Sequence, residues 1–283
     1  MRKVLVTGGS GFLGSSIVNL LIQKNFKVIV VDKIKPKNKN VKFIKSDLLN
    51  LKKIKKITKN IDIIYHLAGV SDINKVKKIP IQTIRDNVII TANLLEASRF
   101  NKVKRFIFAS SIYAHGTSGN LYTTSKLAAE NIIKNYSLLF KIKYTILRFA
   151  TVYGTNNRGV DVVSLFLSRA LKNKIMIVHS NGKQTRDFIH VEDLAVCSFK
   201  SLDKKFENKT LTVGNKKKIK IIDLAKLIKK ITNTKSVIKI DNRKKRFDDF
   251  DLDKVKKIAK KDYLTYKNIY SLKKGILKLS KEY

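Results

Sequence analysis

A glycine-rich loop between a short apolar run and a helical pattern constrains the fold of this chain most strongly. Residues 3–7 are apolar enough for a buried strand, and the apolar residues from 12 to 23 recur at helical spacing. The loop between them carries Gly8, Gly11 and Gly14, with one residue more in its first interval than G-x-G-x-x-G. A strand, a tight turn and a helix N-terminus in this order form a backbone cradle for a pyrophosphate. The loop therefore predicts a nucleotide-binding unit.

An acidic residue at the end of the second predicted strand indicates which nucleotide is bound. Asp32 ends the apolar run 27–32, 18 residues after Gly14. An acid at about this distance accepts hydrogen bonds from the adenosine ribose, and its charge repels a 2′-phosphate. Asp32 therefore favours NAD over NADP, although Lys33 and Lys35 beside it weaken that discrimination.

Strands and helices alternate along the first half of the chain. Further apolar runs predict strands at 41–44, 61–67, 105–109 and 144–149, with helical patterns between them at 51–57, 84–99 and 123–140. This alternation predicts an α/β fold with a Rossmann-type doubly wound parallel sheet. After about residue 155 the pattern changes to a helix at 162–171, a strand at 176–179 and mixed short elements. We expect an NAD-binding domain with the catalytic residues over 1–155 and a smaller C-terminal α/β substrate-binding lobe over 156–283, with the chain able to cross back once to the core sheet.

The net charge of +40 raises the question of a nucleic-acid partner. Only ten of the 61 cationic residues are arginine, and the lysines are spread over the whole chain. Proteins that read nucleic acid depend on the bidentate and stacking contacts of arginine. The composition instead fits a genome biased toward A and T, and we expect no specific nucleic-acid partner. The charge alone predicts a non-specific affinity for polyanions that falls steeply with salt.

Other features of the sequence limit the remaining classes. No apolar run approaches the about 18 residues of a membrane span, and the N-terminal residues lack the apolar stretch of a signal peptide, so we expect a cytoplasmic protein without a membrane partner. A single cysteine, Cys197, excludes a disulfide framework and a cysteine-based zinc cluster. The four histidines show no ligand spacing, and no metal site is predicted.

Three polar residues following the fifth predicted strand form a candidate catalytic group. The strand ends in Ser110 and Ser111, and Tyr122 and Lys126 lie four residues apart on the next helix, where they share one face. A lysine cation stabilises a phenolate, so the tyrosine can act as a base well below its usual pKa of about 10. The Ser111 hydroxyl can bind the reacting oxygen at the sheet edge where doubly wound folds bind ligands. Tyr-x-x-x-Lys alone is frequent by chance, but its combination with the glycine loop and the serine pair is specific.

These motifs resemble the extended short-chain dehydrogenase/reductase family, specifically its NAD-dependent nucleotide-sugar epimerase/dehydratase branch. The resemblance covers nearly the whole chain, with matching segments at 46–48, 65–69, 87–88, 91–97, 147–149, 152–154 and 182–193. It implies Ser111, Tyr122 and Lys126 as catalytic residues. The cofactor contacts that it implies are Gly8, Gly11, Phe12, Leu13, Gly14, Asp32, Asp47, Leu48, Leu67, Ala68, Gly69, Asn87, Ser110, Tyr122 and Lys126.

The resemblance also implies a substrate site and a homodimer. The segment 182–193 is the most specific match, and its Arg186 is expected to hold the substrate diphosphate, with Ser111 and Thr151 as further contacts. Arg243 or Arg246 is either a second phosphate clamp or part of a charged surface run. The helices around 84–99 and 123–140 are expected to form the dimer.

Departures from the family pattern bear on the reaction. The stretch 112–121 between serine and tyrosine is short, so the family pattern does not define which sugar is bound. Thr151 replaces the asparagine that usually contacts the substrate. His115, in the place of a tyrosine, either fills space or contacts substrate. No acid follows Ser111, which argues against a 4,6-dehydratase or a decarboxylase. Similar epimerase-reductases use a cysteine paired with a histidine. Cys197 lies on a predicted helix at 194–202, and we expect it to be a buried packing residue instead.

The sequence thus predicts an NAD-dependent nucleotide-sugar epimerase that inverts C4 of a UDP-sugar, as UDP-glucose 4-epimerase does, by transient hydride transfer through a 4-keto intermediate. A nucleotide-4-keto-sugar reductase or a sugar dehydrogenase of the same fold is the first alternative. The second is a non-catalytic protein that binds NAD or polyanions.

Overall fold

The computed structural model describes residues 1–116, 120–155, 161–242 and 258–283. Its strands are β1 (Lys3–Thr7), β2 (Lys27–Asp32), β3 (Lys42–Lys45), β4 (Ile63–His66), β5 (Arg105–Ser111), β6 (Tyr144–Phe149), β7 (Thr151–Tyr153), β8 (Met176–His179), β9 (Thr185–His190), β10 (Lys209–Val213), β11 (Lys218–Lys220) and β12 (Ile238–Asp241). Its α-helices are α1 (Phe12–Gln23), α2 (Leu51–Ile57), α3 (Ile73–Lys78), α4 (Pro80–Ile84), α5 (Ile90–Phe100), α6 (Leu121–Phe140), α7 (Val162–Leu171), α8 (Val191–Lys200), α9 (Ile221–Thr232) and α10 (Leu272–Ser280). A π-helical turn at Arg85–Ile89 and 3₁₀ turns at Ile112–His115, Lys204–Phe206 and Lys260–Asp262 complete the regular elements.

A seven-stranded sheet forms the core of the first compact unit, residues 1–148 and 195–212. Its strand order is β10-β6-β5-β4-β1-β2-β3, and the registers from β3 to β5 are parallel. Val4, Leu5 and Val6 of β1 are fully buried, as expected for a parallel strand covered on both faces. The strand order reverses direction beside β1, and ligands bind at such a point in open α/β sheets. The predicted doubly wound α/β fold is confirmed.

Helices on the two faces of this sheet bury the apolar residues that the helical spacing identified. Ile17, Val18 and Leu21 of α1 are buried, and on α2 and α5 the buried side chains include Ile54 and Leu94. Each large aliphatic side chain contributes about 1.5–3 kcal/mol when it is fully buried. The core therefore holds the strand ends in fixed positions.

The second, smaller unit comprises residues 149–194 and 213–283. It contains a three-stranded sheet in the order β11-β9-β7 and the parallel pair β8 and β12. Helices α7, α9 and α10 enclose its apolar core. The unit begins at Phe149 rather than after residue 155, and the segment 195–212 belongs to the first unit because β10 pairs with β6 at the edge of the large sheet.

The helix predicted over 84–99 is not continuous. Pro80 occupies the first turn of α4, and the π-helical turn Arg85–Ile89 separates α4 from α5. A π turn inserts one residue into the helical repeat, and here it carries the buried Asn87. The apolar spacing of the sequence does not reveal this insertion.

No helix within the described residues has both the length and the apolar character needed to cross a lipid bilayer.

Candidate functional site

The glycine loop forms a close-packed turn between β1 and α1. Gly8 has a φ of +72°, its amide donates to the Val31 carbonyl at 3.0 Å, and a Cβ at Gly8 would lie 2.7 Å from the Ala68 nitrogen. The Gly11 amide donates to the Gly8 carbonyl at 3.1 Å. A Cβ at Gly11 would meet only that carbonyl, at 3.3 Å, so the space in front of the loop is open. An open backbone surface at a helix N-terminus fits the pyrophosphate of NAD.

The first turn of α1 depends on the last glycine of the motif. Phe12 and Leu13 are half-buried, and Gly14 is buried against the loop. A Cβ on Gly14 would collide with the Gly8 carbonyl and would lie 2.7 Å from the Gly9 Cα. The loop can therefore close on the helix only when residue 14 has no side chain.

Asp32 lies directly beside the glycine loop. Its Oδ2 accepts a hydrogen bond from the Ser10 amide at 3.0 Å, and its Oδ1 accepts from the amides of Lys33 at 2.7 Å and Ile34 at 3.2 Å. These bonds fix the carboxylate at the carboxyl end of β2. The position fits the predicted acceptor for an adenosine ribose.

The predicted adenine contacts lie in the loop after β3. Asp47 is exposed, and its Oδ1 accepts from the Leu49 amide at 3.0 Å. Leu48 is buried, and the Asn93 side chain of α5 donates to the carbonyls of Leu48 at 3.3 Å and Leu49 at 3.0 Å. The loop is therefore held by its own Asp47 side chain and by Asn93 of α5. Its contact with the cofactor stays a prediction.

Asn87 fixes the loop that follows β4, where Leu67 and Ala68 are half-buried and Gly69 is exposed. The Asn87 Oδ1 accepts from the Val70 amide at 2.7 Å, and its Nδ2 donates to the Val70 carbonyl at 3.0 Å and to Ser125 Oγ at 2.9 Å. The amide of Asn87 thus bonds to protein groups on three sides. In this structure Asn87 positions the Gly69 loop against α6.

His66, for which the sequence suggested no role, is a neutral structural residue of β4. Its Nδ1 lies 2.8 Å from Thr7 Oγ1 and its Nε2 lies 3.0 Å from Thr91 Oγ1. Burial, with a smaller contribution from the charge of Lys126, lowers the pKa of His66 to about 3. No group of three or more potential metal ligands occurs among the residues that the structure describes.

The predicted catalytic residues come together at the end of β5 and the start of α6. Asn120 caps α6, and its side chain accepts from the Thr123 amide at 3.1 Å. Ser111, Tyr122 and Lys126 are all buried, with exposed fractions of 7%, 8% and 6%. Tyr122 packs with the apolar cluster that contains Val70 and Val76. The site therefore places three polar groups in largely apolar surroundings.

Burial changes the acidity of both ionisable catalytic groups. It raises the pKa of Tyr122 to about 12, an effect that a hydrogen bond with Ser111 opposes and the nearby Tyr113 reinforces. It lowers the pKa of Lys126 to about 8, an effect that the charge of Glu130 opposes. The sequence analysis expected Lys126 to lower the pKa of Tyr122, but the protein groups raise it. Burial penalises the charged form of each residue, and this effect outweighs the others. The Lys126 Nζ donates to the Ala109 carbonyl at 2.8 Å.

Sequence reasoning missed a buried ion pair next to these residues. Glu130 is fully buried, and its Oε1 accepts from Arg148 Nε at 2.9 Å and from Ser110 Oγ at 2.6 Å. Its Oε2 accepts from Arg148 Nη2 at 2.7 Å. Glu130 follows Lys126 by four residues, as Lys126 follows Tyr122, and this spacing is the sequence signal that could have identified it. The Ser110 hydroxyl bonds to Glu130, and its cofactor contact stays a prediction.

His115 belongs to the same network. Arg148 Nη1 lies 3.1 Å from His115 Nδ1, and His115 Nε2 lies 2.8 Å from Thr212 Oγ1. Both ring nitrogens therefore contact protein groups. This arrangement gives His115 a structural role in linking β6 and β10.

Two of the predicted substrate contacts, Thr151 and Arg186, lie in the second unit. Thr151 on β7 pairs in register with Phe188 of β9, and the half-buried Arg186 of β9 donates from Nη1 to the Thr185 carbonyl at 3.0 Å. The two other candidate clamps, Arg243 and Arg246, lie outside the described residues. In α8, which begins at Val191 rather than at residue 194, Cys197 is fully buried, consistent with packing.

Comparisons with known proteins identify the family of this chain. The model of the NAD dependent epimerase/dehydratase family matches residues 4–214. A Methanocaldococcus jannaschii protein, provisionally named a UDP-glucose 4-epimerase, is 33% identical over 249 residues, 80% of this chain and 81% of the relative.

Two of the solved structures that share this fold are similar to nearly the whole chain. The UDP-glucose 4-epimerase of Thermotoga maritima with UDP-glucose is 25% identical at a TM-score of 0.88, covering 99% of this chain and 98% of that one. The UDP-glucuronic acid 4-epimerase of Bacillus cereus, in complex with UDP-glucuronic acid and NAD, is 25% identical at a TM-score of 0.86, with the same coverage. The chain therefore belongs to the NAD-dependent epimerase/dehydratase family of extended short-chain dehydrogenases/reductases, and it is an enzyme whose cofactor is NAD.

Proposed function

We propose that this enzyme is a nucleotide-sugar 4-epimerase whose substrate is a UDP-sugar. The observation that carries the proposal is the buried group of Ser111, Tyr122 and Lys126 at the carboxyl end of β5, with no carboxylate among the three residues after Ser111. The similarity to three UDP-sugar 4-epimerases by name supports it.

Gly8, Gly11, Gly14 and Asp32 would hold the cofactor on the open side of the glycine loop. When bound, NAD supplies the acceptor that takes a hydride from C4 of the sugar and returns it to the opposite face. Tyr122 acts through its Oη, which as a phenolate takes the proton of the C4 hydroxyl and later returns a proton to the C4 oxygen. The Ser111 hydroxyl donates to the C4 oxygen, and Lys126 favours the phenolate through its charge. Oxidation and reduction cancel, so the enzyme needs no external redox partner.

The residues after Ser111 favour epimerisation over elimination. Ile112 and Ala114 are buried and apolar, and Tyr113 makes an edge contact with Tyr122 at 6.2 Å between ring centroids. None of them carries the carboxylate that would act as a general acid or base in a dehydration. A reductase would use the same three catalytic residues but would consume NADH or NADPH stoichiometrically.

A panel of nucleotide sugars tests the proposal directly. We expect the purified enzyme to invert C4 of a UDP-sugar with no cofactor added. Products formed only with stoichiometric NADH or NADPH would identify a reductase instead. Sugars that stay unchanged both without a cofactor and with NADH or NADPH would contradict the proposed epimerase and its reductase alternative.

Arg186 is proposed as the anchor of the substrate diphosphate. A charge-assisted, bidentate hydrogen bond contributes about 1.5–3 kcal/mol. We therefore expect Arg186→Ala to raise KM for the UDP-sugar roughly 10- to 100-fold, with a smaller effect on kcat. Steady-state kinetics check this. Arg169→Ala is the matched control, since Arg169 of the same unit also donates to a backbone carbonyl, that of Ile175 at 2.9 Å. Equal effects of both variants on KM would contradict the assignment.

A homodimer is proposed through the face formed by α4, α5 and α6. Exposed apolar side chains lie on these helices and the turn between them, namely Ile81, Ile84, Ile89, Phe100, Leu138, Leu139 and Phe140. Large exposed apolar patches of this kind mark interfaces. We expect Leu138→Asp to halve the mass measured by light scattering. Leu277→Asp, which changes an exposed leucine of α10, should leave the mass unchanged, and a monomeric wild type would contradict the dimer.

A further inference from the structure

We propose that Glu130, clamped by Arg148, is a positioning residue for the catalytic pair Tyr122 and Lys126. Its carboxylate fixes the end of β5 against α6 and places a negative charge beside the Lys126 ammonium. This inference deepens the proposed epimerase function and rests on it for its catalytic consequence.

Two consecutive residues of β5 bond to two residues of α6 that lie one turn apart. The Ala109 carbonyl accepts from Lys126 Nζ at 2.8 Å, and the Ser110 hydroxyl donates to Glu130 at 2.6 Å. Ser111 is the next residue along the strand. The two bonds therefore fix the register between the strand that carries Ser111 and the helix that carries the catalytic tyrosine.

A buried carboxylate at this position is costly unless it is paired. Removing an ion from water costs several kcal/mol, and an apolar pair of similar volume is often equally stable or more stable. Glu130 is fully buried but is satisfied by the two parallel bonds from Arg148 and by Ser110. Packing alone would not require a charged residue at position 130. The action of the Glu130 charge on Lys126 supplies a reason for that charge.

Among the residues that the structure describes, Glu130 is the carboxylate whose charge acts on Lys126. His66 of β4 faces Lys126, but its pKa of about 3 keeps it neutral. Arg148 of β6 and Tyr144 of the same strand face Glu130, and His115 faces Arg148. Arg148 Nη1 lies 3.1 Å from His115 Nδ1.

Removal of the Glu130 charge should make Lys126 easier to deprotonate. Burial lowers the pKa of Lys126 to about 8, and the Glu130 charge opposes this lowering. The Glu130 carboxylate acts on Lys126 from the next turn of the same helix, and a nearby opposite charge changes a pKa by roughly one unit or more. Without Glu130, Lys126 should therefore lose its proton at least about one pH unit lower.

Titration of Lys126 by NMR provides a readout that does not depend on activity. The enzyme is labelled with ¹³Cε-lysine, and the Lys126 signal is identified by its absence in Lys126→Arg. In Glu130→Gln we expect its midpoint to fall by about one pH unit. The alkaline limb of kcat should move in the same direction, because only the ammonium form supports the phenolate.

Two variants separate this role from a purely structural one. Arg148→Lys breaks the bidentate pair but keeps the Glu130 charge, so it should lower stability and leave the Lys126 midpoint unchanged. Glu96→Gln removes the carboxylate of a comparable but more exposed pair, Glu96 with Arg99 at 2.6 Å, and should leave both unchanged. Equal midpoints in wild type and Glu130→Gln would overturn the proposal, as would equal shifts in Glu130→Gln and Arg148→Lys.

Glu130→Gln leaves Arg148 buried without its partner, so the single variant could fail to fold. The double variant Glu130→Gln with Arg148→Met removes both charges and retains the volume. Its Lys126 midpoint should also lie below that of wild type, and an unchanged midpoint would overturn the proposal. The titration gives its answer even if the sugar panel finds no epimerisation, so failure of this inference and failure of the proposed function are distinguishable.

Discussion

Tyr122→Phe is expected to lower kcat for epimerisation by about a hundredfold to ten-thousandfold while NAD remains bound. The variant removes the hydroxyl that exchanges a proton with the substrate, and positioned general acid–base groups contribute about 10²–10⁴-fold. The phenyl ring keeps its place in the cluster with Val70 and Val76, so the local fold should persist. Product analysis and the amount of NAD released on denaturation measure the two effects separately.

Tyr136→Phe provides the matched control for this change. Tyr136 lies on the same helix, is half-buried and makes a tilted ring contact with Phe140, at 5.1 Å between ring centroids, rather than with a catalytic residue. Tyr136→Phe removes a hydroxyl far from the reacting atoms, so kcat should stay within about twofold of wild type. If Tyr122→Phe turns over like wild type, Tyr122 is not the proton carrier and the proposed mechanism is wrong.

Gly14→Ala is expected to abolish stable NAD binding. The added Cβ would collide with the Gly8 carbonyl and press on the Gly9 Cα, so the loop must shift away from the helix. Overpacking of this kind costs about 1–3 kcal/mol of stability, and the displaced amides no longer point at the pyrophosphate. We expect the enzyme to be purified without NAD, to melt at a lower temperature and to be inactive.

Ser16→Ala is the control for the glycine variant. It also introduces alanine into α1, but at a half-buried position where it only removes a hydroxyl. NAD content and melting temperature should then remain near those of wild type. A Gly14→Ala enzyme that retains a full complement of NAD would contradict the role assigned to the loop.

The parts of the fold that local patterns encode could be predicted. Buried parallel strands are continuous apolar runs, so β1, β2 and β6 were identified from composition and length alone. The glycine loop and the four-residue interval between Tyr122 and Lys126 are equally local. Their meeting at one sheet edge follows from the doubly wound topology.

Features that depend on distant residues could not be predicted. The sequence analysis allowed one return of the chain to the large sheet, but it did not identify β10 as the returning strand or β6 as its neighbour, because that pairing joins residues far apart in the sequence. Glu130 and Arg148 lie on different elements, and a sequence shows their charges but not their burial. The π turn that carries Asn87 is hidden because its apolar residues still match a continuous helix. The raised pKa of Tyr122 likewise follows from burial and not from the spacing of its motif.

The fate of the hydrogen at C4 tests the central claim most directly. The UDP-sugar that the panel identifies would be prepared with deuterium at C4 and incubated with the enzyme in ordinary water, with no cofactor added. The account predicts that the inverted product keeps its deuterium at C4, because a hydrogen carried as hydride does not exchange with solvent. Replacement of that deuterium by solvent hydrogen, or inversion at a different carbon, would contradict it.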